Sequence, residues 1–167
     1  IFTTLLNSVA YSEKIEDQLL TTEYYLSYDL VNDQIMFSNN ADEPIAPASL
    51  TKLMTALLLL DSYNLGDFIE IDFPDNYVYE GKVAYLESGQ QMTIESLLEF
   101  ILIYSANDAC IAASIIVSDN YEDFIVLMNN KARELGMSNT NFNNPDGLDS
   151  INPVSYTHLR AHETSCD

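Results

Sequence analysis

The chain has 167 residues, 47% of them hydrophobic, which is enough for a domain with a sizeable core and too apolar for disorder to be the default. Asp and Glu outnumber Lys and Arg by 26 to 6, and the resulting formal net charge of -20 repels nucleic acid and leaves no basic patch for phosphates. The excess carboxylates read as a solvated surface.

Residues 1–10 (IFTTLLNSVA) are apolar and end in Ser8-Val9-Ala10, the small-x-small pattern of a signal-peptidase site. They are taken as the remnant of an export signal, which places the protein outside the cytoplasm. Glu13 to Thr22 is polar with spaced Ile15, Leu19 and Leu20, as in a short amphipathic helix. Tyr24 to Leu30 and Gln34 to Ser38 are rich in aromatic and β-branched residues around the turn formers Val31-Asn32-Asp33, and predict a β-hairpin.

Pro44 and Pro47 punctuate a loop, after which Ser49 to Tyr63 runs apolar almost all round, the pattern of a buried helix. Asp67 to Phe73 alternates like a strand and ends at the Pro74-Asp75-Asn76 turn. A second helix starts at Thr93 or Ser96, either of which can cap it, and stops near Tyr104. Ser105-Ala106-Asn107 breaks it from a third, Asp108 to Val117, whose Asp108 suits the positive end of the helix dipole. A fourth, Tyr121 to Leu135, ends at Gly136, and Phe142 to Leu148 is dense in turn formers and reads as an irregular loop. Residues 11–153 form one mixed domain on this reading, with no internal repeat and no membrane span. The run 154–167 resembles translated sequencing adapter and is set aside as foreign, so a zinc site at His158 and His162, spaced i, i+4, is rejected. That leaves Cys110, in an apolar helix, as a core residue with no disulfide framework around it.

Chemistry enters at Ser49 and Lys52, three residues apart at a helix start and so on one face within reach of each other. A hydroxyl becomes a nucleophile when an adjacent base takes its proton, and a lysine serves if burial favours its neutral form. The helix N-terminus favours the oxyanion of acyl transfer. Ser-x-x-Lys is a short pattern and weak alone; the competing reading is a Ser cap followed by a surface lysine. Ser-x-Asn recurs, at Ser38, Ser105, Ser118 and Ser150 among others, but only Ser105-Ala106-Asn107 sits in a tight break between apolar helices, where hydroxyl and amide can project into one cleft.

Pro47-Ala48-Ser49-Leu50-Thr51-Lys52-Leu53-Met54-Thr55 closely resembles the nucleophile segment of serine D-alanyl-D-alanine carboxypeptidases. Tyr104 to Ala109 resembles their second motif, and Leu135-Gly136-Met137 through Asn144-Pro145-Asp146-Gly147-Leu148 a stretch beyond it, with order and spacing agreeing from Tyr24 to Asp149. The resemblance implies an α/β (α+β) fold of the β-lactamase/DD-peptidase kind, an antiparallel sheet flanked by helices. It further implies that Ser49 attacks the carbonyl of the penultimate D-alanine of a peptidoglycan stem peptide, with Lys52 as base and Ser105 and Asn107 relaying protons and holding substrate. β-Lactams would be covalent inhibitors, no metal or organic cofactor is required, and peripheral membrane association through a C-terminal segment outside these residues is left open. The residues contain no Lys-Thr-Gly, so a strand, an oxyanion donor and the carboxylate-binding lysine of the family lie outside them, and the chain alone is expected to be inactive. A β-lactamase or endopeptidase of the same fold, or a noncatalytic wall-binding relative, are the alternatives.

Overall fold

The computed structural model describes residues 21–148, and the chain divides into two compact units, Ile1–Ala41 and Asp42–Asp167. The export-signal stub, most of the first amphipathic helix, and the tail with His158, His162 and Cys166 lie outside the described residues.

In the first unit, β1 (Tyr25–Asp29) pairs antiparallel with β2 (Gln34–Asn39), Asp29 opposite Gln34 and Tyr25 opposite Asn39, with an irregularity between Ser27 and Tyr28. The turn closes as its residue types dictate. Asp29 Oδ1 accepts from the backbone N–H of Val31 (2.9 Å) and Asn32 (3.1 Å), and Asp33 takes a left-handed φ of 55°. Hydrogen bonds from the Asn32 side chain and from these two backbone groups hold the Asp29 carboxyl below its usual range.

In the second unit a short 3-10 turn (Ala48–Leu50) leads into α1 (Thr51–Ser62). The sequence predicts a helix starting at Ser49; Ser49 instead stands in the 3-10 turn, one step before the α-helix. The expectation of burial all round also fails on one face, where Leu53 is 60% and Leu60 45% exposed, while Leu58 and Leu59 are buried. β3 (Phe68–Glu70) is shorter than the alternation predicts, although Ile71 continues the pairing through bonds with Gln90 and Gly89. Its partner β4 (Gln91–Thr93) was not expected, because a three-residue strand in Gln-Gln-Met-Thr has too little apolar alternation to register.

Thr93 caps α2 (Ile94–Leu102) by accepting from the Ser96 N–H, so of the two candidate caps Thr93 is the one and Ser96 its donor. α3 (Asn107–Ser118) and α4 (Tyr121–Glu134) follow their predicted bounds within one residue, and Gly136 closes α4 at φ 74°. One core gathers Leu59, Ile71, Ile94, Leu97, Ile101 and Cys110 between α1, α2, α3 and the β3–β4 pair. A second gathers Met54, Leu58, Phe124, Met128 and Phe142 between α1 and α4. Cys110 is fully buried, as a core residue should be, and burial pushes its thiol well above the ordinary range. Lys131 on α4 pairs with Asp61 on α1 at 2.7 Å, joining the two helices at their solvent edge. Among the described residues no helix is long and apolar enough to cross a membrane.

Candidate active site

Lys52 sits on the first turn of α1 and is 3% exposed, beneath an exposed Ser49. An ammonium or amine so deep needs polar company, since a buried nitrogen without partners costs several kcal/mol, roughly 1–3 for each lost bond. Three oxygens supply it. Nζ lies 3.5 Å from Ser49 Oγ, 2.8 Å from Asn107 Oδ1 and 2.7 Å from the backbone carbonyl of Asp146. The 3.5 Å contact is long for a hydrogen bond. Two protein oxygens thus hold the nitrogen in place while the third, Ser49 Oγ, is free to move toward an electrophile.

Each anchor is itself fixed. The break between α2 and α3 is made by Ser105 in a left-handed conformation (φ 63°), which turns the chain so that the Ala106 N–H bonds Phe100 and the Asn107 N–H bonds Lys82 at 2.7 Å. Asn107 Nδ2 donates to the Glu80 carbonyl at 3.0 Å, which orients Oδ1 toward Lys52. Gly81, between these two acceptors, lies so close to Asn107 that a Cβ there would stand 2.5 Å from Nδ2. The loop 80–86 is clamped in turn by Asp108, fully buried at the start of α3, whose carboxylate accepts from the N–H of Ala84 (2.9 Å) and Leu86 (3.0 Å). Asp108 therefore does more than complement a helix dipole.

On the other side the Asn144-Pro145-Asp146-Gly147 turn packs onto α1. Thr55 donates to the Pro145 carbonyl at 2.6 Å, and Gly147, at φ 76°, leaves room for the Ala48 carbonyl, which a Cβ would meet at 1.8 Å. Ala48 also has a left-handed φ, 48°. A non-glycine residue there carries roughly 1–2 kcal/mol of strain, and strain of this kind collects at functional sites. Burial raises the Asp146 carboxyl above its ordinary value, with the Leu148 N–H and the Lys52 charge pulling the other way. Ser49, Lys52 and Ser105 line one open groove of about 420 Å³, with Leu50, Leu53 and Leu102 as its apolar wall.

The four residues expected from the sequence are thus brought together: three line the groove and Asn107 reaches it through Lys52. What sequence reasoning missed is the Asp146 carbonyl, the Thr55 anchor beneath it and the Asp108 clamp. A main-chain acceptor has no residue signature; only the density of turn formers at 144–147 hinted at a fixed backbone.

The family model described as D-alanyl-D-alanine carboxypeptidase (peptidase S11) matches residues 12–161. The D-alanyl-D-alanine carboxypeptidase DacF of Bacillus subtilis (strain 168) is 38% identical over 119 residues, 69% of this chain and 31% of that protein. A D-alanyl-D-alanine endopeptidase of Escherichia coli (strain K12) is 32% identical over 128 residues, 76% of this chain and 41% of that protein. Among solved structures, the D-alanyl-D-alanine carboxypeptidase DacD of Francisella tularensis matches with TM-score 0.72 at 30% identity, covering 83% of this chain and 34% of that one. Penicillin-binding protein D2 of Listeria monocytogenes, in its cefotaxime-bound form, matches with TM-score 0.67 at 28% identity over 84% of this chain and 57% of that one. The chain therefore spans between about a third and two fifths of the length of these curated relatives. The mixed α/β fold with small antiparallel sheets is that of the DD-peptidases and penicillin-binding proteins.

Proposed function

The chain belongs to the D-alanyl-D-alanine carboxypeptidase family, and from that premise we propose that the protein containing it removes the terminal D-alanine from peptidoglycan stem peptides through an ester on Ser49. The observation that carries the proposal is the buried Lys52 nitrogen, 3.5 Å from Ser49 Oγ and held there by Asn107 and the Asp146 carbonyl. In its neutral form Lys52 accepts the Oγ proton as Oγ bonds the carbonyl carbon of the penultimate D-alanine. The carbon–nitrogen bond then breaks, D-alanine leaves as an amine carrying that proton, and water hydrolyses the ester. Ser105, which lines the same groove, is the residue that passes the proton to the leaving nitrogen in this scheme. No step requires a metal or an organic cofactor.

β-Lactams enter the same scheme as acyl donors that form the ester and are slow to leave, as the cefotaxime-bound Listeria relative supports. Because the substrate lies in the cell wall, the protein works outside the cytoplasm, where trimming stem peptides bears on cell shape; peripheral attachment to the membrane fits that setting. The similarity to an endopeptidase favours a second reading, cleavage of the D-alanyl cross-link by the same ester chemistry.

Covalent labelling by a fluorescent penicillin, on the full-length gene product beside Ser49→Ala, tests the chemistry. Labelling is expected in the wild type and absent from the variant. A folded wild type that takes up no label would overturn the acyl-enzyme mechanism and favour a noncatalytic wall-binding protein. Release of free D-alanine from pentapeptide, against cleavage of a cross-linked dimer, separates carboxypeptidase from endopeptidase, and rapid release of the penicillin label marks a β-lactamase.

A further inference from the structure

Lys82 is the cation that the acyl-transfer machinery leaves unused. The described residues contain four, and three are engaged: Lys52 beneath Ser49, Lys131 with Asp61 and Glu134, and Arg133 with Asn130 Oδ1 at 2.6 Å. Among the described residues no carboxylate stands within ion-pair distance of Lys82. Its Nζ instead stands 4.5 Å from the centre of the Tyr104 ring, and both side chains are exposed. A cation–π contact orients an ammonium without neutralising it, as a protein carboxylate would.

The position of this pair is set by the site. Tyr104 directly precedes Ser105, and the Lys82 carbonyl accepts from the Asn107 N–H at 2.7 Å. Gly81 packs against the Asn107 amide, and the Asp108 carboxylate clamps Ala84 and Leu86. The Lys82 backbone is therefore built against the Ser105–Asn107 break, whose Ser105 lines the groove. An acidic peptide meets repulsion from most of a chain of net charge -20, so a free ammonium held over Tyr104, the residue before groove-lining Ser105, has a large local effect on where such a peptide docks.

Resting on the carboxypeptidase reading, we propose that Lys82, held by Tyr104, binds a side-chain carboxylate on the acyl portion of an acidic peptide substrate and so sets specificity. The terminal carboxylate departs with D-alanine; the group Lys82 reads is a second one that stays with the ester.

The test uses the full-length gene product and two synthetic peptides ending in D-Ala-D-Ala, identical except that one acyl-side carboxylate is free in the first and amidated in the second. The wild type is expected to favour the free acid through a KM lower by roughly 3–10-fold, a preference that shrinks in high salt. Lys82→Gln brings the two KM values together with kcat unchanged, Lys82→Arg restores the preference, and Arg133→Gln, which removes the same charge from α4, keeps it. Benzylpenicillin, whose carboxylate sits on the leaving-group side, acylates Lys82→Gln at the wild-type rate. Equal KM values in the wild type, a KM rise for both peptides alike in Lys82→Gln, or slowed penicillin acylation in that variant would each overturn the proposal. Failure of penicillin to acylate the wild type would instead sink the acyl-enzyme reading on which it stands.

Discussion

Asn107 uses both ends of its amide, Oδ1 on Lys52 and Nδ2 on the Glu80 carbonyl, so a substitution disturbs Lys52 and the loop together. In the full-length gene product, Asn107→Ala is expected to slow acylation by penicillin about 100-fold or more, the scale on which general acid–base catalysis contributes, measured by the rate of label uptake. Gly147→Ala acts without touching any side chain of the site. Its Cβ would fall 1.8 Å from the Ala48 carbonyl at a left-handed φ, displacing the residue before Ser49. A loss of roughly 2–4 kcal/mol by denaturant unfolding, with acylation reduced at least tenfold, is the expected result. Unchanged acylation would show that the Asn144–Gly147 turn does not position Ser49. The side chains at this scale were legible because Ser49–Lys52 and Ser105–Asn107 are short-range patterns strengthened by the family resemblance. Ala48 was not, since nothing about alanine announces a left-handed backbone, and neither was the Asp146 carbonyl, which belongs to the chain and not to a residue type.

Helices were the most readable elements because their caps and terminators are local. Thr93 Oγ1 accepts from the Ser96 N–H at 3.2 Å, and Asn120 Oδ1 from the Asp123 N–H at 2.8 Å. Thr93→Ala and Asn120→Ala are each expected to lower stability by about 1 kcal/mol, with the double variant near the sum if the two caps are independent. Chemical denaturation of the three variants checks this. Elements defined by tertiary contact were harder to read. β4 exists because Gln91, Met92 and Thr93 find Glu70, Ile69 and Phe68 across the sheet, a pairing with little trace in so short a stretch. The 3-10 turn at Ala48–Leu50 likewise answers to the Asn144–Gly147 turn packed against it, not to helix propensity.

For the whole molecule, pH acts through a carboxyl that folding buries. Asp146 has its folded value raised above the ordinary 3.8, so folding favours the protonated form. Its contribution to stability is complete below the ordinary value and is lost as pH rises through the raised one. Asp146→Asn keeps an oxygen to accept the Leu148 N–H and removes the titration. Thermal unfolding from about pH 3 to 7 should therefore show the variant gaining on the wild type as pH rises past 4, then a constant difference. A parallel pair of profiles would mean that Asp146 stays equally hydrated in both states. The oxygens around Lys52 come from 3, 55 and 94 positions along the chain, so the site is complete only after its longest loop has closed. Such closures are slow to form relative to local helices. Penicillin uptake by the full-length gene product thereby becomes a clock for folding: in a refolding experiment, label should appear after the helical signal has recovered, timing the moment when residues far apart in sequence first meet.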